Sequence, residues 1–186
     1  MKKAIAITMK KAAANHDPGA SKFFGPPTVP EAWLDSFYED EIFFCQIRLS
    51  EIAALDAENK LPHTGYLYVF LNTEDGDRHL RADVRHYDGE PDLVIDGFNG
   101  AVDGYERFDE AWIMEFTEAD EDHDGTKLFG TPSDWNYGEE PTALLLQYDP
   151  LDNETGFLDL LDGYLCLFFG DDPKDFGAAT LTEAYS

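Results

Sequence analysis

Residues 126 to 132 read T-K-L-F-G-T-P, and residues 21 to 27 have already read S-K-F-F-G-P-P. A lysine, an aromatic, a glycine and a proline in that order describe a corner. Glycine permits a positive φ or a close approach, proline fixes its own φ, and the aromatic before the glycine plugs a core edge. Catalytic loops are seldom needed twice, whereas the corners of a duplicated fold are. The surrounding sequence repeats as well. After the first corner come Trp33, F-F-C-Q-I (43–47) and G-Y-L-Y-V-F-L (65–71); after the second come Trp135, L-L-L-Q-Y (144–148) and G-Y-L-C-L-F-F (163–169). The offset is 105 between Lys22 and Lys127, 101 between Gln46 and Gln147, and 98 between Gly65 and Gly163. Order is kept while the loops shorten, and A-I-A-I-T-M (4–9) and A-W-I-M-E-F (111–116) stand in matching places ahead of the two corners.

The apolar segments are short, rich in β-branched and aromatic residues, and bounded by Gly, Pro, Asp or Asn. They predict strands over 3–9, 42–48, 65–71, 80–87, 92–96, 105–117, 142–148, 163–169 and 178–184. Helix signals are scarce. The clearest is L-S-E-I-A-A-L-D-A-E (49–58), with Ser50 as its cap, and a turn is expected through E-A-W-L-D-S-F-Y (31–38). The expected fold is therefore α+β and β-rich, one domain over 1–186. It would be internally duplicated, with two similar halves (about 1–100 and 101–186) of mostly antiparallel strands sharing one core, and few short helices.

Charge narrows the partners. Thirty-nine acidic residues against thirteen basic ones give a net charge of −26, which repels phosphate backbones and anionic lipid. Neither nucleic acid nor membrane is expected as a partner; a basic protein is. The opening M-K-K-A-I-A-I-T-M-K-K holds too short an apolar run for a signal-peptide core. Cys45 and Cys166 lie within apolar strand-like runs and read as reduced, buried thiols, which predicts a cytoplasmic protein.

No nucleophile elbow, zinc helix, P-loop or dinucleotide fingerprint is present, so no catalytic residue and no cofactor is assigned. The pocket candidates are Lys22, Lys127, Gln46, Gln147, Trp33 and Trp135, which could converge where the halves meet and hold a small ligand. Each glutamine is otherwise expected to bind neighbouring backbone. D-E-D-H-D-G (120–125) starts like a calcium loop, but the twelfth position counted from Asp120 is Thr131, so Asp120, Asp122 and Asp124 are weak metal candidates only. With Glu118 and Glu121 these residues make an acidic face suited to a basic partner. In R-H-L-R-A-D-V-R-H (78–86), His79 and His86 point to opposite faces of a strand, so the segment reads as a salt-bridged edge strand and not as a metal site.

Taken in order, S-K-F-F-G-P-P-T-V-P-E-A-W, F-F-C-Q-I-R-L-S-E-I, L-P-H-T-G-Y-L-Y-V-F, T-K-L-F-G-T-P and A-L-L-L-Q-Y-D-P resemble the YwqG-like family, a bacterial domain of unknown function. The resemblance covers most of the chain. It implies an internally duplicated α+β fold, no established activity, and kinship with proteins found among toxin and immunity systems. The chain departs from the family pattern at Phe24, where a second glycine is usual, and at Thr126, where histidine is usual. It departs again over 158–164, where L-D-L-L-D-G-Y replaces a Gly-Asp-Gly turn. The function expected is a non-enzymatic, acidic, immunity- or antitoxin-like protein-binding module. The alternatives are a small-ligand binder or an enzyme that uses a polar pocket between the halves, and weak cation binding at 120–125.

Overall fold

A computed structural model describes residues 3–72, 80–133, 143–152 and 163–185. The chain forms two compact units, one of Lys10–Met114 and one of Met1–Met9 with Glu115–Ser186. Twelve strands are described: β1 (Lys3–Lys11), β2 (Lys22–Phe23), β3 (Thr28–Val29), β4 (Glu41–Arg48), β5 (Tyr66–Asn72), β6 (Arg81–Tyr87), β7 (Leu93–Val94), β8 (Trp112–Asp120), β9 (Lys127–Leu128), β10 (Leu144–Tyr148), β11 (Gly163–Phe168) and β12 (Thr180–Tyr185). The only α-helix among the described residues is α1 (Leu49–Ile52). The fold is strand-rich and antiparallel.

In the Lys10–Met114 unit the strand order is β8-β2-β4-β5-β6. Ile42 to Ile47 and Tyr66 to Leu71 are buried at every position, which explains why these strands read as continuous apolar runs and not as alternating ones. One face carries Val29, Phe43, Tyr66, Tyr68 and Phe70, covered by Trp33, Phe37, Tyr87, Ile95 and Phe98. The other packs Phe23, Phe24, Phe44 and Phe108 ring against ring, with centroids between 4.9 and 6.3 Å apart. A small ribbon of β3 and β7 lies apart from that order. In the other unit the order is β12-β11-β10-β9-β1, with Leu144, Cys166 and Phe168 in its core.

The strand that precedes each corner in sequence pairs with the other corner. Strand β1 aligns Ile5 with Leu128 and Ala6 with Lys127, and Ile7 N–H donates to the Thr126 carbonyl. Strand β8 aligns Trp112 with Phe23 and Ile113 with Lys22, and Met114 N–H donates to the Ser21 carbonyl.

Two sequence expectations need correction. The strand expected over 105–117 begins only at Trp112, because Tyr105, Phe108 and Ala111 recur every third residue and the chain forms a 3-10 turn at Glu106–Asp109 that buries Phe108. The helix expected over 49–58 stops at Ile52. Arg48 stands at its N-cap, so Ser50 lies inside the helix and caps nothing. The chain then leaves the helix for a loop held by Asp56, whose carboxylate accepts from Lys60 and Leu61 N–H. The turn expected over 31–38 is a 3-10 turn at Glu31–Ser36.

Both corners pass through two consecutive left-handed residues, Phe24 (φ 54°) with Gly25 (φ 74°), and Phe129 (φ 62°) with Gly130 (φ 83°). Phe24 and Phe129 are thus non-glycine residues held in a conformation that glycine adopts most easily. A Cβ on Gly25 would stand 2.5 Å from Ala111 Cβ, whereas one on Gly97, also at positive φ, would meet nothing within 4 Å. Gly25→Ala is therefore expected to cost at least about 2 kcal/mol in urea unfolding, strain plus overpacking, and Gly97→Ala only about 1 kcal/mol for strain.

Candidate functional site

Lys22 and Gln46 stand directly opposite each other across β2 and β4, and Lys127 and Gln147 do so across β9 and β10. Residues in that relation project to one face about 5 Å apart. The structure thus brings the four polar candidates together as two lysine–glutamine pairs, one in each unit. All four residues are fully buried.

Each pair sits behind a β-bulge. Strand β4 slips by one residue at Phe44 and β10 by one at Leu145, and the carbonyls of those extra residues accept from Phe24 and Phe129 N–H at 2.9 and 3.2 Å. The glutamines satisfy the rest of each corner. Gln46 Oε1 accepts from Thr28 N–H (3.0 Å), and its Nε2 donates to the carbonyls of Ala20 (3.0 Å) and Pro18 (3.1 Å). Gln147 Oε1 accepts from Ser133 N–H (2.8 Å), and its Nε2 donates to the Gly125 carbonyl (2.7 Å) and Ser133 Oγ (2.9 Å). Hydroxyls follow the same plan: Ser21 Oγ accepts from Arg48 N–H and Thr126 Oγ1 from Asp149 N–H.

The ammonium groups are turned to main chain too. Lys22 Nζ donates to the Pro18 carbonyl (2.8 Å), four residues back, and Lys127 Nζ to the His123 carbonyl, also four back, and to that of Thr131 (2.7 Å). Burial pushes Lys22 down to about 8, with Asp17 opposing it, and burial lowers Lys127 against the pull of Asp124. Both thiols are free and buried; burial raises Cys45 and pushes Cys166 up to about 12, the opposite of an activated nucleophile.

Trp33 is placed elsewhere in its unit, edge-on to Tyr68 (5.3 Å) and Tyr87 (6.0 Å) under the Arg85 guanidinium. Trp135 lies outside the described residues, as does His79. On the acidic face, Glu118, Asp120, Asp122 and Asp124 are exposed and Glu121 is half-buried. Glu118 pairs with Lys3, and Asp124 Oδ1 accepts from Tyr164 Oη (3.0 Å) and Gly125 N–H (3.1 Å). Hydrogen bonds from Ser133 and Tyr164 hold Asp124 below the usual carboxylate range. Among the described residues no three His, Cys, Asp or Glu side chains gather around a point where a metal ion could sit.

Three features escaped sequence reasoning. Asn99, buried in a loop, uses Oδ1 for Phe43 N–H and Nδ2 for the carbonyls of Phe43 and Phe108. Arg48 reaches Tyr66 Oη, Asp17 and Glu51 at once. Glu41 is a buried acid at the start of β4. None carries a local signal; each depends on partners 3 to 56 positions away. No protein-family model matches the chain, and no curated protein matches its sequence.

Two variants test this assignment. Gln46→Leu leaves Thr28 N–H and the Ala20 carbonyl without partners and is expected to cost about 2–4 kcal/mol in urea unfolding. Lys22→Met leaves the Pro18 carbonyl its bonds from Thr28 Oγ1 and Gln46 Nε2, so it orphans nothing. Because Lys22 is depressed from 10.5 to about 8, the folded state binds fewer protons than the unfolded chain between those values. The stability of the natural protein relative to Lys22→Met is therefore lowest below pH 8 and rises by up to roughly 3 kcal/mol toward pH 10.5, measured as paired unfolding curves.

Proposed function

We propose that this chain is a YwqG-like domain built by internal duplication, and that it works as a non-catalytic binding module whose acidic face docks a basic protein, in the manner of an immunity or antitoxin-like inhibitor. What supports the duplication is the matched detail of the two corners: equal cross-strand registers, consecutive left-handed residues, bulges at equivalent positions, and glutamines and lysines bonded to equivalent loop atoms. The resemblance rests on the quoted motifs.

The observation that carries the binding reading is how polar groups are divided. Lysines and glutamines that could have served a ligand are buried and bonded to their own loops, while the carboxylates at 118, 120, 122 and 124 face solvent. A pocket-based reading needs those amides and ammoniums free; their bonds to main chain count against it. Solvent-facing carboxylates act at long range, accelerating encounter with an oppositely charged partner and losing that effect when salt screens them.

The test is capture of basic proteins by immobilised full-length chain at low and high ionic strength, followed by association kinetics with any protein recovered. A variant carrying Glu118→Gln, Asp120→Asn, Glu121→Gln, Asp122→Asn and Asp124→Asn is expected to associate about tenfold more slowly at low salt, with a shallower salt dependence. Recovery of no basic protein at low ionic strength, or an unchanged association rate in the variant, would overturn the reading.

A further inference from the structure

The Glu41 carboxyl group is buried at the head of β4, and only one of its oxygens is hydrogen-bonded. Oε2 accepts from Tyr38 N–H at 3.0 Å, while Oε1 has no hydrogen-bond partner and lies 3.6 Å from Arg85 Nη2. The same Nη2 is 2.6 Å from Asp83 Oδ2, so two carboxylates converge on one guanidinium nitrogen. That guanidinium is tightly held: Nη1 donates to Ser36 Oγ (2.7 Å), Nη2 also to the Ser36 carbonyl (3.3 Å), and its plane lies over Phe37 (4.8 Å), Phe70 (5.4 Å) and Trp33 (5.5 Å). Arg85 belongs to β6, the edge strand of its unit, and Ser36, Phe37 and Trp33 to the turn that covers the sheet face.

The Glu41 side chain is 1% exposed and that of Arg85 16%, whereas Asp83, 39% exposed, stands at the rim; with two carboxylates on one guanidinium, the charge that is costly to leave uncompensated is the one on Glu41, where water is excluded. A proton on Glu41 Oε1 removes both defects: it neutralises the excess charge and turns the unpaired oxygen into a donor toward Asp83. We propose that Glu41 holds a proton in front of Arg85 and Asp83, and that this proton latches the Trp33 turn and edge strand β6 onto the sheet. When it is lost, the cluster carries a net negative charge and opens locally, exposing Glu41 to water.

The groups that face Glu41 pull in opposite directions, and burial decides the sign. Strand β6 presents Asp83 and Arg85, the latter also bonded by the neutral Ser36 of the turn; the segment entering β4 presents the Tyr38 amide; and β5 presents the neutral Asn72 opposite. Burial raises Glu41 from 4.5 to about 7, against the Tyr38 hydrogen bond and the Arg85 charge and with help from Asp83. An acid whose closed-state value lies above its open-state value stabilises the closed state fully below the lower value, and loses that contribution as pH rises to the higher one. The latch is thus tightest in mild acid and has loosened by neutrality.

Native-state amide exchange of full-length protein over residues 33–37 and 81–87, with carbon-13 detection of the Glu41 carboxyl, tests this. After correction for intrinsic exchange chemistry, the local opening constant is expected to rise about tenfold per pH unit between roughly pH 5 and 7 and then level off. In Glu41→Gln, which keeps the shape without the charge, it is expected to stay flat. Asp83→Asn is expected to lower the midpoint of the Glu41 carbon titration from about 7. A Glu41 midpoint near 4.5, or a natural-protein opening constant as flat as that of Glu41→Gln, would overturn the latch. If Glu41→Gln does not fold, the carbon titration in the natural protein and in Asp83→Asn decides alone.

Discussion

The structure depends on how a buried corner satisfies its backbone. At Phe24-Gly25 and Phe129-Gly130 the chain reverses through left-handed residues in the interior, where each unpaired amide or carbonyl carries a penalty of about 1–3 kcal/mol. Neighbouring strands cannot supply all the partners, because the corner strands β2 and β9 are each two residues long. One glutamine per corner, with an acceptor and two donors on a single planar group, supplies them. The lysine opposite adds a third link, from Nζ to a carbonyl four residues back. These side chains are polar residues in the service of main chain, and their burial follows from that task.

A second constraint acts on topology. Each corner is flanked by a strand from far away in sequence: β1 beside the corner at 126–130, and the head of β8 beside the corner at 21–25. The compact units therefore do not divide the sequence at its middle. The first nine residues belong with 115–186, and the break falls at Met114, inside β8. Closing each unit waits on a strand separated by about a hundred residues, the long-range pairing that slows β-rich folding.

The two kinds of buried charge in the Lys10–Met114 unit behave differently. Lys22 is bound by a carbonyl dipole, and the carboxylate that opposes its shift, Asp17, is exposed, so burial moves it toward neutrality. Arg85 cannot neutralise and is instead surrounded by two carboxylates and three aromatic rings. An arrangement that satisfies an arginine with one carboxylate too many places the strain on the acids, which is why the interior proton belongs to Glu41.

The sequence by itself determined most of the strand positions, the two corners and the equivalence of their lysines and glutamines. These are encoded locally, in apolar runs, in glycine and proline, and in spacing. It also made legible that each glutamine binds neighbouring backbone, because a lone amide in an apolar strand has few other uses. What only the tertiary structure decided were matters of partnership. Strands β2, β3 and β9 are two residues each, too short to stand out as apolar runs, and are fixed by the neighbours that pair with them. Phe108 turns inward on a 3-10 turn because Asn99 and Phe24 wait there. Strands β1 and β8 change places between corners, and Glu41 meets Asp83 and Arg85, because contacts across dozens of residues carry no mark in either segment alone.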